Sequence, residues 1–108
     1  MALQRSVSEI GVEAAEGLLA DDRAVLVDVR EDWEWRRGHV PNAIHIPLSQ
    51  LPTLMWKLPR DKTLAIICQH GERSLVAANY LAARGFEGVA SVAGGTAAWA
   101  RSGRALER

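Results

Sequence analysis

A chain of 108 residues, 48% of them apolar and 24% charged, has the size and composition of one globular domain. Lys plus Arg equals Asp plus Glu at 13 each, so no basic surplus argues for nucleic acid and no acidic tail is present. A single cysteine excludes an internal disulfide, His39, His45 and His70 are scattered without metal-ligand spacing, and no apolar run reaches the length of a membrane span. Residues 1–5 lack the apolar stretch of a signal peptide, and the expectation is a cytoplasmic, reducing setting with no membrane partner, no metal and no cofactor.

Residues 5–10 read as a short first strand, with Val7 and Ile10 as its apolar positions, broken by Gly11. Residues 12–20 read as a helix with Ala15, Leu18 and Leu19 on one face, followed by a solvated Asp21-Asp22 turn. Residues 24–27 are continuously apolar, as in a central parallel strand covered on both faces. Asp28 falls at its C-terminal end, where open parallel sheets bind ligands. Asp28 and Arg30 are expected to be structural support in a buried ion-pair network, with Glu34 as a partner for Arg30. Residues 32–37 form a short helix that Asp32 can cap, with Trp35 assigned to packing inside and Trp33 to the core or, alternatively, to the rim of the site. Gly38 ends it. Residues 43–46 are a short strand between Pro41 and Pro47. A helical segment then starts at Ser49 and runs through Leu58, with Pro52 in its first turn and Trp56 assigned to the core or, with Lys57, to one wall of the site. Residues 59–62 turn into the next strand.

That strand, residues 64–67, begins the stretch around which the rest is organised. It ends at Cys68, passes through a short polar loop with Gly71, and enters an Ala- and Leu-rich helix over residues 75–84. Leu75, Ala78, Leu81 and Ala82 make the apolar stripe, and Gly85-Phe86 makes the C-terminal cap. A strand that turns directly into a helix aims several backbone N–H groups and the positive end of the helix dipole at one spot. An anion is stabilised there, and so is a thiolate. Arg73 opposes the dipole and makes sense if an anion lies between them. The alternative is a small, inert, buried cysteine. Residues 89–92 are the last strand, Gly94-Gly95 permits close backbone approach, residues 96–101 are a helix anchored by Trp99, and residues 102–108 are a loosely held tail. Strands alternating with helices give an α/β fold with a mainly parallel sheet and helices on both faces.

Cys68-Gln69-His70-Gly71-Glu72-Arg73-Ser74 resembles the Cys-x-x-Gly-x-Arg-Ser active-site loop of rhodanese-like (sulfurtransferase) domains. Val27-Asp28-Val29-Arg30, the Gly38-His39-Val40-Pro41-Asn42-Ala43-Ile44-His45-Ile46-Pro47 segment and Gly94-Gly95 with Trp99 resemble the family's other motifs, in the same order, over nearly the whole chain. Asn42 stands where the family has glycine and tolerates positive φ; His45 stands where it often has asparagine, suited to a loop hydrogen bond.

The resemblance implies one rhodanese-like domain over residues 1–108 that transfers sulfur. Cys68 is the implied nucleophile and carrier of a persulfide. The N–H groups of Gln69, His70, Gly71, Glu72, Arg73 and Ser74 bind the sulfur or the donor's oxygens, as an oxyanion hole does. The partners are small sulfur anions (thiosulfate, sulfite, cyanide in an assay), thiol acceptors or a sulfur-accepting protein, on a monomer or weak homodimer. Three alternatives compete. A non-catalytic binding module would not need Cys68 with Arg73, and a redox sensor would usually add a resolving cysteine. Phosphatases and arsenate reductases of this fold hold five residues between Cys and Arg, where four stand here.

Overall fold

The computed structural model describes residues 7–108, so Arg5 and Ser6 of the expected first strand, and the residues read for a signal peptide, lie outside the described residues. Five strands, β1 (Ser8–Ile10), β2 (Ala24–Asp28), β3 (Ile44–His45), β4 (Thr63–Ile67) and β5 (Val89–Val92), form one parallel sheet in the order β1-β5-β4-β2-β3. The helices are α1 (Val12–Ala20), α2 (Asp32–Arg37), α3 (Leu51–Leu54), α4 (Glu72–Ala83) and α5 (Gly95–Arg101). None is long and apolar enough to cross a membrane.

Strand alternation sends successive side chains to opposite faces of the sheet. In β4, Leu64 and Ile66 enter one apolar cluster with Leu51, Leu58, Ala77, Ala78 and Leu81. Ala65 and Ile67 enter a second, with Val12, Ala15 and Trp99. Helices therefore cover both faces: α3 and α4 lie on one, α1 and α5 on the other. Continuing the alternation places Cys68 in the first cluster, on the α4 side.

Beside β4, β2 pairs Asp28 with Ile67 in register, so Asp28 and Cys68 leave the same end of neighbouring strands. α4 closes as expected: Gly85 takes φ +94, its N–H donates to Ala82 O, and Phe86 N–H donates to Leu81 O. Asn42 accepts φ +69. The helical region after Ser49 is a four-residue α3 between two 3-10 turns, Leu48–Gln50 and Met55–Lys57, rather than one continuous helix. The expected 43–46 strand shortens to two residues.

Other expectations are corrected. Glu31, not Asp32, caps α2; its carboxylate accepts from the Glu34 N–H while Glu34 accepts from the Glu31 N–H, and N3 is where a glutamate can reach back. Trp33 and Trp56 are not core: they are 57% and 75% exposed, with Arg37 and Lys57 over their rings. Trp35 is half-buried rather than inside. Its ring stacks between His39 (3.6 Å) and His45 (4.5 Å), which satisfies an amphipathic aromatic better than an apolar core does. The tail is tied down as well. Glu107 and His39 exchange backbone hydrogen bonds of 2.8 Å, Arg104 pairs with Glu16, and Leu106 packs on the α1–α5 cluster.

Candidate active site

Cys68 leaves β4 and is only 1% exposed. Its Sγ lies inside the loop that leads to α4. The Gly71 N–H donates to Sγ at 3.1 Å and the Ser74 N–H at 3.2 Å. The thiol donates to Ser74 Oγ at 3.4 Å, and Ser74 Oγ shares a 2.7 Å hydrogen bond with Ser91 Oγ on β5. Sulfur thus meets two main-chain donors and a hydroxyl that can reverse its hydrogen bond when the thiol loses its proton. Gly71 makes the turn at φ +108 as the residue before α4, and a Cβ there would press on the Gly94 N–H at 3.3 Å.

Of the six loop residues read from the sequence, Gly71 and Ser74 are the ones that face Sγ. Gln69 turns aside: its Oε1 accepts from Thr96 Oγ1 at 2.8 Å and from Arg30 Nη1 at 3.3 Å. His70 and Glu72 are exposed. Arg73 occupies the first turn of α4, against the dipole, and the anion that justifies it is supplied by the protein itself. Arg73 Nη1 donates to Glu34 Oε1 at 2.7 Å and Nη2 to Oε2 at 2.8 Å. Hydrogen bonding from Arg73, then from the Glu31 N–H, outweighs partial burial and holds the Glu34 carboxyl down at about 2. The same bond raises Arg73 above the ordinary arginine value.

Glu34 is therefore not the partner of Arg30. Arg30 Nε and Nη2 fork onto Asp28 at 2.9–3.1 Å, with both residues buried, because Asp28 sits two residues away at the end of the same strand. The guanidinium also donates to Gly38 O at 2.8 Å, and the Arg30 carbonyl contacts His45 Nε2 at 2.8 Å. The buried guanidinium thus ties β2, the α2 exit and the Cys68 loop together, and the Arg30 carbonyl adds β3. Breaking such a pair leaves an uncompensated buried charge, at roughly 3–5 kcal/mol.

Sequence reasoning missed Ser91, Thr96 and the function of Glu34. Ser91 had a visible signal, a hydroxyl within the otherwise apolar β5. Beneath the loop, Thr96 and Ala97 N–H donate to the carbonyls of Cys68 (2.8 Å) and Gln69 (3.1 Å). Beside it runs a groove of about 380 Å³ whose walls include Trp33, Glu34, Arg37, Gln69 and Thr96. Among the described residues no group of three or more His, Cys, Asp or Glu is arranged to hold a metal ion.

A sequence profile of the Rhodanese-like domain matches residues 12–102. A protein of Allochromatium vinosum named sulfurtransferase is 39% identical over 98 residues, covering 90% of this chain and 92% of the relative. The crystal structure of a rhodanese-related protein from Thermoplasma volcanium superposes with a TM-score of 0.85 at 32% identity, covering 93% of this chain and 97% of the other. The human single-domain sulfurtransferase superposes with a TM-score of 0.79 at 28% identity, over 89% and 97% of the two chains.

Proposed function

The chain belongs to the rhodanese-like domain family, and from that premise we propose that it is a sulfurtransferase working through a persulfide on Cys68. The observation that carries this reading is the pair of main-chain N–H groups, from Gly71 and Ser74, directed at a single buried sulfur. Donors fixed in the backbone need no reorganisation when charge arrives at sulfur, which is how such sites stabilise anions.

The Cys68 thiolate attacks the outer sulfur of thiosulfate. The S–S bond of the donor breaks, its electron pair leaves with sulfite, and Cys68 keeps one extra sulfur as Cys68–S–S⁻. An acceptor nucleophile then attacks the outer sulfur. Cyanide departs as thiocyanate, a thiol departs as its persulfide, and the Cys68 thiolate returns. A low-molecular-weight persulfide serves as donor by the same two steps. Gly71 and Ser74 hold the thiolate; the remaining loop N–H groups, from Gln69, His70, Glu72 and Arg73, are available to the outer sulfur or the donor oxygens. Asp28 and Arg30 fix the loop's base. We infer a cytoplasmic role, with no nucleic acid or membrane partner.

The test is mass spectrometry after thiosulfate, together with thiosulfate-dependent thiocyanate formation. The native protein gains the mass of one sulfur atom on Cys68 and loses it to cyanide. Cys68→Ser melts like the native protein and does neither. Substantial turnover by the serine variant would remove Cys68 from the mechanism.

A further inference from the structure

The loop arginine is already engaged. Both outer nitrogens of Arg73 are taken by both oxygens of Glu34, and Oε1 also accepts from the Glu31 N–H at 3.0 Å. The Glu34 side chain is 11% exposed against 37% for Arg73, so the carboxylate is the better buried partner. The other guanidinium beside the loop, Arg30, is spent on Asp28. The sulfur cradle therefore offers an incoming donor oriented N–H dipoles but no uncommitted cation on the loop itself. A fixed carboxylate stands within the same ion pair.

We propose that Glu34 is a specificity-determining residue that biases this site towards singly charged sulfane-sulfur donors over the thiosulfate dianion. The inference rests on the sulfur-transfer reading and deepens it. Thiosulfate brings two negative charges to a thiolate and to an arginine whose charge the Glu34 carboxylate already cancels. A monoanion, such as an organic persulfide or a thiosulfonate R–SO₂–S⁻, brings one. Both deliver sulfur by the same displacement. The thiosulfonate yields Cys68–S–S⁻ and a sulfinate, R–SO₂⁻, where thiosulfate yields the persulfide and sulfite. At several ångströms, in partly solvated surroundings, each unit of donor charge facing one carboxylate is worth about three- to fivefold in affinity.

The experiment compares KM for thiosulfate and for an alkylthiosulfonate in the native protein, Glu34→Gln and Glu34→Asp. Glutamine still accepts from the Glu31 N–H and from Arg73 but removes the charge. In Glu34→Gln the thiosulfate KM falls about three- to fivefold further than the thiosulfonate KM. Glu34→Asp keeps the native ratio, which a merely structural role would not predict. In the native protein, added salt narrows the ratio between the two donors, because it screens the repulsion. An unchanged ratio in Glu34→Gln, or the same change in Glu34→Asp, overturns the proposal. So does a native ratio indifferent to salt, a test that needs no variant to fold. Failure of the underlying reading looks different: neither donor would leave sulfur on Cys68 of the native protein.

Discussion

Replacing Gly95 with alanine should disable the site from beneath. Gly95 opens α5 at φ +59, a left-handed conformation that a side chain makes costly. Its added Cβ would lie 2.5 Å from Gln69 O and 2.6 Å from Gln69 C, and nearer still to Cys68 O, where real Cβ atoms essentially never come closer than 3.0 Å. All the obstructing atoms are backbone, so the loop or α5 must retreat by about half an ångström or more. The carbonyls that are struck accept the Thr96 and Ala97 hydrogen bonds, each worth about 1 kcal/mol, and the φ strain adds about 1 kcal/mol. The sum, about 3 kcal/mol, lowers Tm by about 10–20 °C in a domain of this size. A displacement approaching 1 Å at a nucleophile costs on the order of a hundredfold in rate, so kcat/KM for sulfur transfer should fall by about 10- to 100-fold below the melting range. Gly103→Ala is the control. It shares the positive φ, at +85, but its Cβ meets nothing within 4 Å. It should lose about 1 kcal/mol and retain turnover. Thermal melts and steady-state kinetics on both variants decide the matter. If Gly95→Ala is as stable and as active as Gly103→Ala, the collision argument is wrong.

Two further outcomes are expected. Gly17 lies inside α1, exposed, with nothing within 4 Å of an added Cβ, so Gly17→Ala should raise stability by about 0.5–1 kcal/mol and Tm by a few degrees; a lower Tm would contradict this. Because the folded Glu34 carboxyl sits at about 2 against 4.5 unfolded, its contribution is complete above pH 4.5 and is lost as pH falls towards 2. With Arg73 37% exposed and screened by solvent, that contribution is about 1–2 kcal/mol. The stability gap between the native protein and Glu34→Gln should therefore close between pH 5 and 2 in denaturant titrations, and a gap constant over that range would refute the assignment.

What could be read from the sequence was whatever depends on near neighbours in the chain. The β4 run, the cysteine at its end, the Gly71 turn and the Gly85 cap all declare themselves within a few residues. The two-sided parallel sheet followed from alternation of elements. What stayed hidden depends on pairs far apart. Glu34 and Arg73 are 39 residues apart, and nothing local says that Glu34 will reach the helix after the Cys68 loop rather than Arg30. The three misassigned aromatics failed for a related reason. Trp33, Trp35 and Trp56 have large apolar rings, but short helices with few turns cannot turn every ring inwards. The rings instead take cations or imidazoles as partners. Residues 102–108 carry no strong pattern, and their anchorage through the His39 backbone is a tertiary event.

The site uses one device twice. α4 begins at a left-handed glycine, Gly71, and the N–H groups of its turn reach the Cys68 side chain. α5 also begins after a left-handed glycine, Gly94 at φ +76, and its first N–H groups reach the backbone carbonyls of Cys68 and Gln69. The two turns touch, since a Cβ on Gly71 would meet the Gly94 N–H. One helix start therefore holds the sulfur while the other holds the peptide from which the sulfur hangs. Both bear on the end of the central strand, where the backbone is fixed by pairing to β2 and β5. With Arg30 and Arg73 each committed to a carboxylate, stabilisation of charge at sulfur falls to dipoles whose positions the fold sets in advance. Such dipoles favour a single charge at Sγ or on one further sulfur, without drawing in every anion that a free guanidinium would attract.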